Sequence, residues 1–345
     1  MAVSAEHGSA EGGGGGEHEG EGGGEGKGEC GGEYGGEGEC GGPALSEGRE
    51  RVGSSVPAVL RTLERLLALD ATHGASAALP AVRDAVRHVP ELSAAPARLR
   101  GLDPELLSAL AELSEVAGWI LFDAGRYAAA RRANGRALAL AALCGDTWTA
   151  RLTLLNHSML QAHTGHARAA LECASRVAGT GTLPARVDAL VLIRRAHAVA
   201  LLGGGRAAVE LISRAGHRFL DGVSRRDPAW AWWIDETELL GHRGWVLART
   251  RRWSPAVDLL RQAVAVPGPA YRDLFTAVLL DALVGAGAWR DAEELIADLA
   301  PRAARIGSVR TTGTLAATSV RLRDRAGAPA ALRDAAVHLL ERLPR

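Results

Sequence analysis

The chain has 345 residues, of which 47% are hydrophobic, and its 40 basic and 40 acidic side chains balance. No stretch reaches the roughly 18 uninterrupted apolar residues that a membrane-spanning helix needs, so the composition excludes such a protein. The balance hides an asymmetry. Residues 1–50 carry twelve Glu against Lys27 and Arg49, which gives a charge of −10 and leaves +10 on the remainder of the chain.

The first segment, residues 1–50, consists mostly of Gly and Glu. Such a segment cannot bury enough apolar surface to offset the entropy of ordering its backbone, so we predict a disordered acidic tail. It lacks the apolar core of a secretory signal, and we expect a cytoplasmic protein. The four cysteines have no paired or metal-binding spacing and are predicted to be free thiols; they are Cys30, Cys40, Cys144 and Cys173.

Residues 51–345 are predicted to form one helical domain. Apolar residues recur three and four positions apart in nearly every segment, and runs typical of strands are missing. About fourteen helices are expected, paired antiparallel as in a solenoid. From residue 105 onward a pattern recurs about every 40 residues, and its clearest copy consists of Gly118, Gly125, Tyr127, Ala130 and Ala137.

Several helix ends can be placed from local signals. Asp103 and Pro104 begin a helix that runs to Asp123, and Gly125 ends it. The pair Asp227-Pro228 is predicted to open a longer helix that reaches about Arg249. Two further boundaries are expected at the dipeptides Gly145-Asp146 and Gly307-Ser308.

The spacing of small, glycine, aromatic and alanine positions resembles the tetratricopeptide repeat. More specifically, residues 55–345 resemble the C-terminal helical-repeat region of actinobacterial helix-turn-helix transcriptional regulators. The stretches that carry this resemblance are residues 117–138, 183–200, 219–239 and 279–296. The resemblance implies an all-α tetratricopeptide-like superhelix with a sensing or regulatory role. No helix-turn-helix precedes residue 55, and phosphate would repel the acidic tail, so direct DNA binding is not expected.

In repeats of this type, defined positions of the first helix of each pair face a concave groove. Aromatic, imidazole and charged side chains occupy these positions, as a peptide or small-molecule groove requires. The candidate groove residues are Trp119, Phe122, Asn156, Met159, His163, Arg194, His197, Glu238, His242, Trp245 and Asp281. The alternative is that the aromatic members fill the interior and that neighbouring groups satisfy the histidines.

The same positions also suggest two narrower sites, a carboxylate clamp and a metal site. Asn156 and Arg194 match two of five residues with which one family of these repeats clamps a carboxylate, but Glu115 at another clamp position would repel it. Glu238 and His242 stand four apart on one helix face, which suits a hydrogen-bonded pair better than a metal site without further ligands. No metal or other cofactor is therefore predicted.

No nucleophile motif, phosphate-binding loop or dinucleotide fingerprint occurs, so we do not expect an enzyme. The predicted function is a non-enzymatic regulatory module that binds a peptide, a protein or a small-molecule effector in its groove. The alternative is a constitutive protein–protein scaffold. The opposite charges of the two segments also suggest that the tail screens the groove, although a merely solubilising tail explains the same composition.

Overall fold

The computed structural model describes residues 54–344, and within this range it contains fourteen α-helices and no strand. The predicted all-α class and the number of helices are confirmed. None of these helices is both long and apolar enough to cross a membrane. The helices are α1 (Val56–His73), α2 (Ala75–His88), α3 (Pro104–Asp123), α4 (Tyr127–Cys144), α5 (Thr147–His163), α6 (Ala167–Ala178), α7 (Ala185–Leu201), α8 (Gly205–Phe219), α9 (Glu236–Arg249), α10 (Trp253–Ala265), α11 (Asp273–Ala286), α12 (Trp289–Leu299), α13 (Val309–Arg323) and α14 (Ala330–Arg342).

Three of the sequence predictions concern residues outside this range. These are the disordered tail over residues 1–50, the free thiols of Cys30 and Cys40, and the screening of the groove by the tail. Within the described range, Cys144 and Cys173 are free thiols.

The helices form two layers along the chain. Each odd-numbered helix packs against its partner in the pair and against the next odd-numbered helix, from α1 through α13. The layers differ in burial as this arrangement requires. Ten of the fourteen residues of α11 are buried, whereas α8 buries only Ala208, Ile212 and Ala215, spaced four and three apart. The odd-numbered helices therefore form the inner layer, and the even-numbered ones cover it with one apolar stripe each.

The turns inside five successive pairs, from α3–α4 to α11–α12, each have a residue at positive φ two positions before the second helix. Four of these turns place a glycine at positive φ, namely Gly125, Gly165, Gly203 and Gly287. The fourth copy of the repeat has Arg251 at the equivalent position, two residues before α10, with φ 59°. A side chain with a β-carbon adopts this conformation only at a cost, so the repeat geometry is kept here against the preference of the residue.

Close helix crossings explain two small residues of the repeat pattern. A β-carbon added to Gly118 of α3 would lie 2.2 Å from Oδ1 of Asn134 on α4. At Gly244 of α9 it would lie 2.5 Å from Cγ of Leu260 on α10. At both crossings a side chain of the neighbouring helix fills the space that a β-carbon would occupy.

The prediction that one helix runs from Asp227-Pro228 to Arg249 is wrong at its start. Residues Ala229–Trp233 form a 3-10 turn, and α9 begins at Glu236. Asp235 separates the two elements because its backbone is extended and its carboxylate accepts a hydrogen bond from the Glu238 amide, 2.9 Å away. The predicted boundaries at Asp146 and Ser308 do occur, and both side chains cap the helices that follow them.

The last repeats return to the first ones. Gly307 packs directly on Gly74, and its carbonyl accepts a hydrogen bond from the Ser76 amide at 2.8 Å. The buried carboxylate of Asp123 at the end of α3 accepts hydrogen bonds from Ser308 Oγ at 2.9 Å and from Arg310 Nε at 2.5 Å. We call this set of interactions the closure contact. It joins α1–α3 to the start of α13, so the inner helices surround an interior.

Candidate functional site

A cavity of about 260 Å³ lies in this interior. Every odd-numbered helix contributes to its lining, together with the 3-10 turn at Ala229–Trp233 and the connection that precedes α11. Ala68 and Ala71 of α1 and Trp232 of the turn line the cavity and are also exposed, so they mark its mouth. The site thus depends on residues from both ends of the described chain, which the closure contact brings together.

Most of the cavity wall is apolar and aromatic. Trp119 stands edge-on to Tyr271, with 6.2 Å between the ring centroids, and bridges α3 to the connection before α11. Aliphatic side chains of α1 and α5 complete the wall, among them Leu63 and Leu152. The aromatic lining residues are Trp119, Trp230, Trp232, Trp233, Tyr271 and Phe275. An apolar wall with a few placed polar groups is the usual composition of a small-molecule site.

Two buried carboxyl groups line the cavity without an ion-pair partner among residues 54–344. Asp70 accepts a hydrogen bond from Trp119 Nε1 at 3.1 Å, while its Oδ1 has no partner in this range. Glu115 accepts one from Asn156 Nδ2 at 2.6 Å. Burial raises the pKa of Asp70 to about 7, and the nearby Asp123 carboxylate adds to this rise. Burial likewise raises the pKa of Glu115 to about 7.

A third buried carboxylate of the lining belongs to an ionic cluster at the start of α9. Arg272 donates from Nε to Glu238 at 2.9 Å and from Nη2 to Asp235 at 2.6 Å. Burial raises the pKa of Glu238 to about 6, although the Arg272 guanidinium opposes this shift. His242 Nε2 lies 3.6 Å from Glu238 Oε2. One guanidinium therefore holds two carboxylates, and the cluster presents Glu238 to the cavity.

Arg194 of α7 lines the cavity beside this cluster and is 3% exposed. Its Nη1 lies 3.4 Å from His242 Nε2. Burial lowers the pKa of Arg194 to about 9, while the Glu238 carboxylate favours its charged form. Burial and the Arg194 charge both hold the pKa of His242 well below its usual value, so this imidazole is neutral. The neutral ring lies between a guanidinium and a carboxylate and contacts both.

Arg310 of α13 contributes the second buried guanidinium of the lining. Besides its bond to Asp123, Nη1 lies 3.1 Å from the Met159 sulfur. Its Cζ lies 4.8 Å from the ring centroids of both Trp119 and Phe122. This side chain therefore connects the closure contact to the wall of the cavity, through a paired charge and two cation–π contacts.

The structure brings six of the eleven predicted groove residues to the cavity lining. They come from four inner helices, which agrees with the prediction that the first helix of each pair faces the concave side. These residues are Trp119, Asn156, Met159, Arg194, Glu238 and His242.

Four others lie next to the cavity. Phe122 and His163 pack together with 5.6 Å between centroids, and Tyr127 Oη lies 3.0 Å from His163 Nε2. His197 lies behind His242 and packs edge-on against Trp245, with 4.4 Å between ring centroids. The packing of the aromatic rings and the bond of His163 agree with the alternative interpretation, whereas His197 Nε2 has no hydrogen-bond partner among the described residues.

The eleventh predicted residue, Asp281, does not line the cavity. It forms an ion pair with the half-exposed Arg321 of α13. The repeat phase placed it on the inner helix α11 correctly, but α13 covers that part of the helix.

Sequence reasoning missed the lining residues that lie outside the mapped repeat positions. Asp70 and Arg310 belong to α1 and α13, and Tyr271 and the tryptophans of residues 230–233 belong to connections between helices. Asp70 did carry a signal, because it is an isolated acid that follows the leucine-rich run of α1.

The two narrower sites fare differently in the structure. Asn156, one of the two clamp matches, donates a hydrogen bond to Glu115. Glu115 would therefore repel a carboxylate ligand and also occupies the amide that would bind it. Residues 54–344 contain no group of three or more histidine, cysteine or acidic side chains placed to hold a metal ion. Glu238 and His242 are neighbours as expected, with Arg272 and Arg194 as their other partners.

Comparison with known proteins gives no assignment for this site. No protein-family model matches the chain, and no curated protein sequence matches it.

Proposed function

We propose that this chain is a non-enzymatic regulatory module that binds a small, mostly apolar molecule in the interior cavity. The observation that carries the proposal is the cavity itself, which is lined by all seven inner helices and combines an aromatic wall with buried polar groups. Its volume of about 260 Å³ favours a small molecule over the peptide and protein ligands that a long groove would accept.

The position of the cavity supplies a mechanism for signalling. A ligand there would contact α1 and α3 on one side and residues 269–275 and Arg310 on the other. Its binding would favour the arrangement in which the closure contact is made, and a partner protein would detect that arrangement. This role accords with the resemblance to the sensing region of transcriptional regulators. A cytoplasmic location is part of the proposal, and direct DNA binding is not.

The test uses the full chain and a variant that obstructs the mouth of the cavity. Ala68→Trp places a large side chain at an exposed lining position, where it does not disturb the core. Arg65→Trp is the matched control, because Arg65 is exposed on the same helix but does not line the cavity. Each protein is produced in the organism that naturally contains it and purified under native conditions. Native mass spectrometry then detects the small molecules and proteins that remain bound.

We expect a bound small molecule on the wild type and on Arg65→Trp, and its loss from Ala68→Trp. Equal occupancy of all three proteins would show that the compound binds elsewhere and would contradict the proposal. If all three carry no small molecule but retain the same partner protein, the scaffold alternative is correct.

The scaffold alternative has one structural observation in its favour. Leu220 and Val223, in the connection between α8 and α9, are 81% and 73% exposed. Large apolar side chains at such exposure are typical of contact surfaces when they cluster. Replacing both with serine should remove a partner bound by this connection and leave binding in the cavity unchanged.

A further inference from the structure

We infer that the ligand of the interior cavity is a small organic cation, whose charge is neutralised by Asp70 and Glu115 and whose apolar part contacts the aromatic wall. This inference rests on the proposed function and adds the chemical class of the ligand. It follows from the charges of the lining, from the aromatic composition and from the way each buried group is paired.

The charges around the cavity divide into a balanced set and a remainder. The balanced set has three guanidiniums, two of them in ion pairs with its three carboxylates; its members are Arg194, Arg272, Arg310, Asp123, Asp235 and Glu238. Asp70 and Glu115 remain, and their hydrogen bonds come from an indole and an amide, which are both neutral. The half-buried Glu112 lines the same side of the cavity. A positively charged ligand would complete the balance.

The aromatic wall suits the same occupant. Six of the lining residues carry aromatic rings, four of them indoles. The face of an aromatic ring attracts a cation, most strongly for tryptophan, and the attraction increases where water is excluded. Arg310 already occupies such a position over Trp119, which shows that the wall accepts a cation at this distance. In the described part of the chain, no guanidinium lies in this way over the three further indoles, at residues 230, 232 and 233.

An anionic ligand is less well served by the same groups. Its natural partners would be Arg194 and Arg310, but Arg310 is bonded to Asp123 and Arg194 is compensated by Glu238. An anion would also lie in the same cavity as Asp70 and Glu115, and it would have to keep both of them protonated. A cation avoids this repulsion and gives the two carboxylates a partner.

The experiment compares three probes of similar shape that differ in charge. Choline is the cation, 3,3-dimethylbutan-1-ol is its neutral counterpart, and 3,3-dimethylbutanoate is the anion. Binding to the full chain is measured by calorimetry and by the rise in melting temperature at about pH 8, where both carboxyl groups are largely ionised. We expect choline to bind and to raise the melting temperature, and the other two probes to have no measurable effect.

The double variant Asp70→Asn, Glu115→Gln tests the two carboxylates directly. Both new side chains keep an oxygen that can accept the hydrogen bonds of Trp119 and Asn156, so the fold is preserved. We expect choline affinity to fall at least about tenfold in this variant. The matched control is Glu64→Gln, which removes one negative charge from the exposed side of α1 and should leave the affinity unchanged.

The outcomes separate this inference from the proposed function. If the neutral or anionic probe binds in place of choline, and Ala68→Trp blocks that binding, the inferred positive charge of the ligand is wrong. The cavity remains a ligand site in that case. Undiminished choline binding to the double variant would overturn the role of the two carboxylates. If none of the probes binds, the inference fails, and the purification experiment then decides the proposed function separately.

Discussion

At the scale of single residues, the burial of Asp70 in the cavity lining lowers the stability of the folded protein. Its carboxyl group is buried, and within residues 54–344 it accepts a hydrogen bond from Trp119 alone. The pKa is therefore raised from 3.8 to about 7. An acid with a raised pKa in the folded state makes folding less favourable as the pH rises from the unfolded value to the folded one. Asp70 should thus lower stability progressively between about pH 4 and pH 7, and by a constant amount above that.

The substitution Asp70→Asn tests this effect. Asparagine keeps the acceptor for Trp119 Nε1 and cannot ionise, so the variant should be more stable than the wild type by about 4 kcal/mol at pH 8. The difference between the two proteins should shrink as the pH falls and disappear near pH 4. Urea unfolding followed by circular dichroism at a series of pH values measures it. A difference independent of pH would mean that the carboxyl is not the titrating group.

At the scale of secondary-structure elements, the turns of the five pairs from α3–α4 to α11–α12 keep a positive-φ residue even where the local sequence does not favour it. Four turns use glycine at positive φ, and the fourth copy of the repeat uses Arg251. The left-handed conformation costs a residue with a β-carbon roughly 1–2 kcal/mol, part of which glycine loses again through its greater freedom in the unfolded chain. The start of α10 is therefore less stable than the equivalent starts of α4, α6, α8 and α12.

Arg251→Gly should consequently stabilise the protein, by about 0.5–1 kcal/mol. The matched control is Arg252→Gly, because Arg252 is the next residue, is also exposed, and has an ordinary φ of −88°. The control should be neutral or slightly destabilising. Thermal unfolding of the two variants and the wild type provides the comparison, and an equal response of both variants would rule out backbone strain as the cause.

The same scale shows how far the elements could be predicted from the sequence. Helix α3 was predicted with its observed bounds because Asp103, Pro104 and Gly125 act through local backbone chemistry. The start of α9 was not, since Asp227-Pro228 carries the same local signals. There the outcome is decided by distant packing: Trp230, Ala231 and Ile234 are buried against residues of α5 and α7. Such contacts have no local signature.

At the scale of the whole molecule, the closure contact decides which residues share the cavity. The repeat phase could identify Trp119, Asn156 and Arg194, because their positions depend only on neighbouring pairs. It could not identify Asp70 and Arg310, which meet the cavity only because the last repeats return to the first. About half of the predicted groove residues therefore lie in the lining. Asp70 and Arg310, two charged residues of the lining, were absent from the prediction.

Gly307→Ala should disturb the closure contact selectively. A β-carbon at this position would lie 2.3 Å from the His73 carbonyl oxygen and 3.0 Å from Gly74 Cα, and backbone atoms cannot move aside easily. We expect a loss of stability of about 2 kcal/mol and faster amide hydrogen exchange in α1, α2 and the start of α13. Gly327→Ala is the control, since no atom lies within 4 Å of its added β-carbon. Unchanged exchange in α1 and α2 would show that the closure contact tolerates the added methyl group.

The closure contact also changes how the protein should fold and unfold. In an open array of repeats each unit depends only on its neighbours, so unfolding begins at the ends and spreads inward. Here the bond between Ser308 and Asp123 spans 185 residues, and Gly307 contacts Gly74, so the first two pairs share a boundary with the last pair. Forming such a distant contact requires the intervening chain to be ordered first, which slows folding. Once it has formed, neither the first pair nor the start of α13 can unfold without breaking this contact. The two ends of the array therefore unfold together and do not fray one at a time.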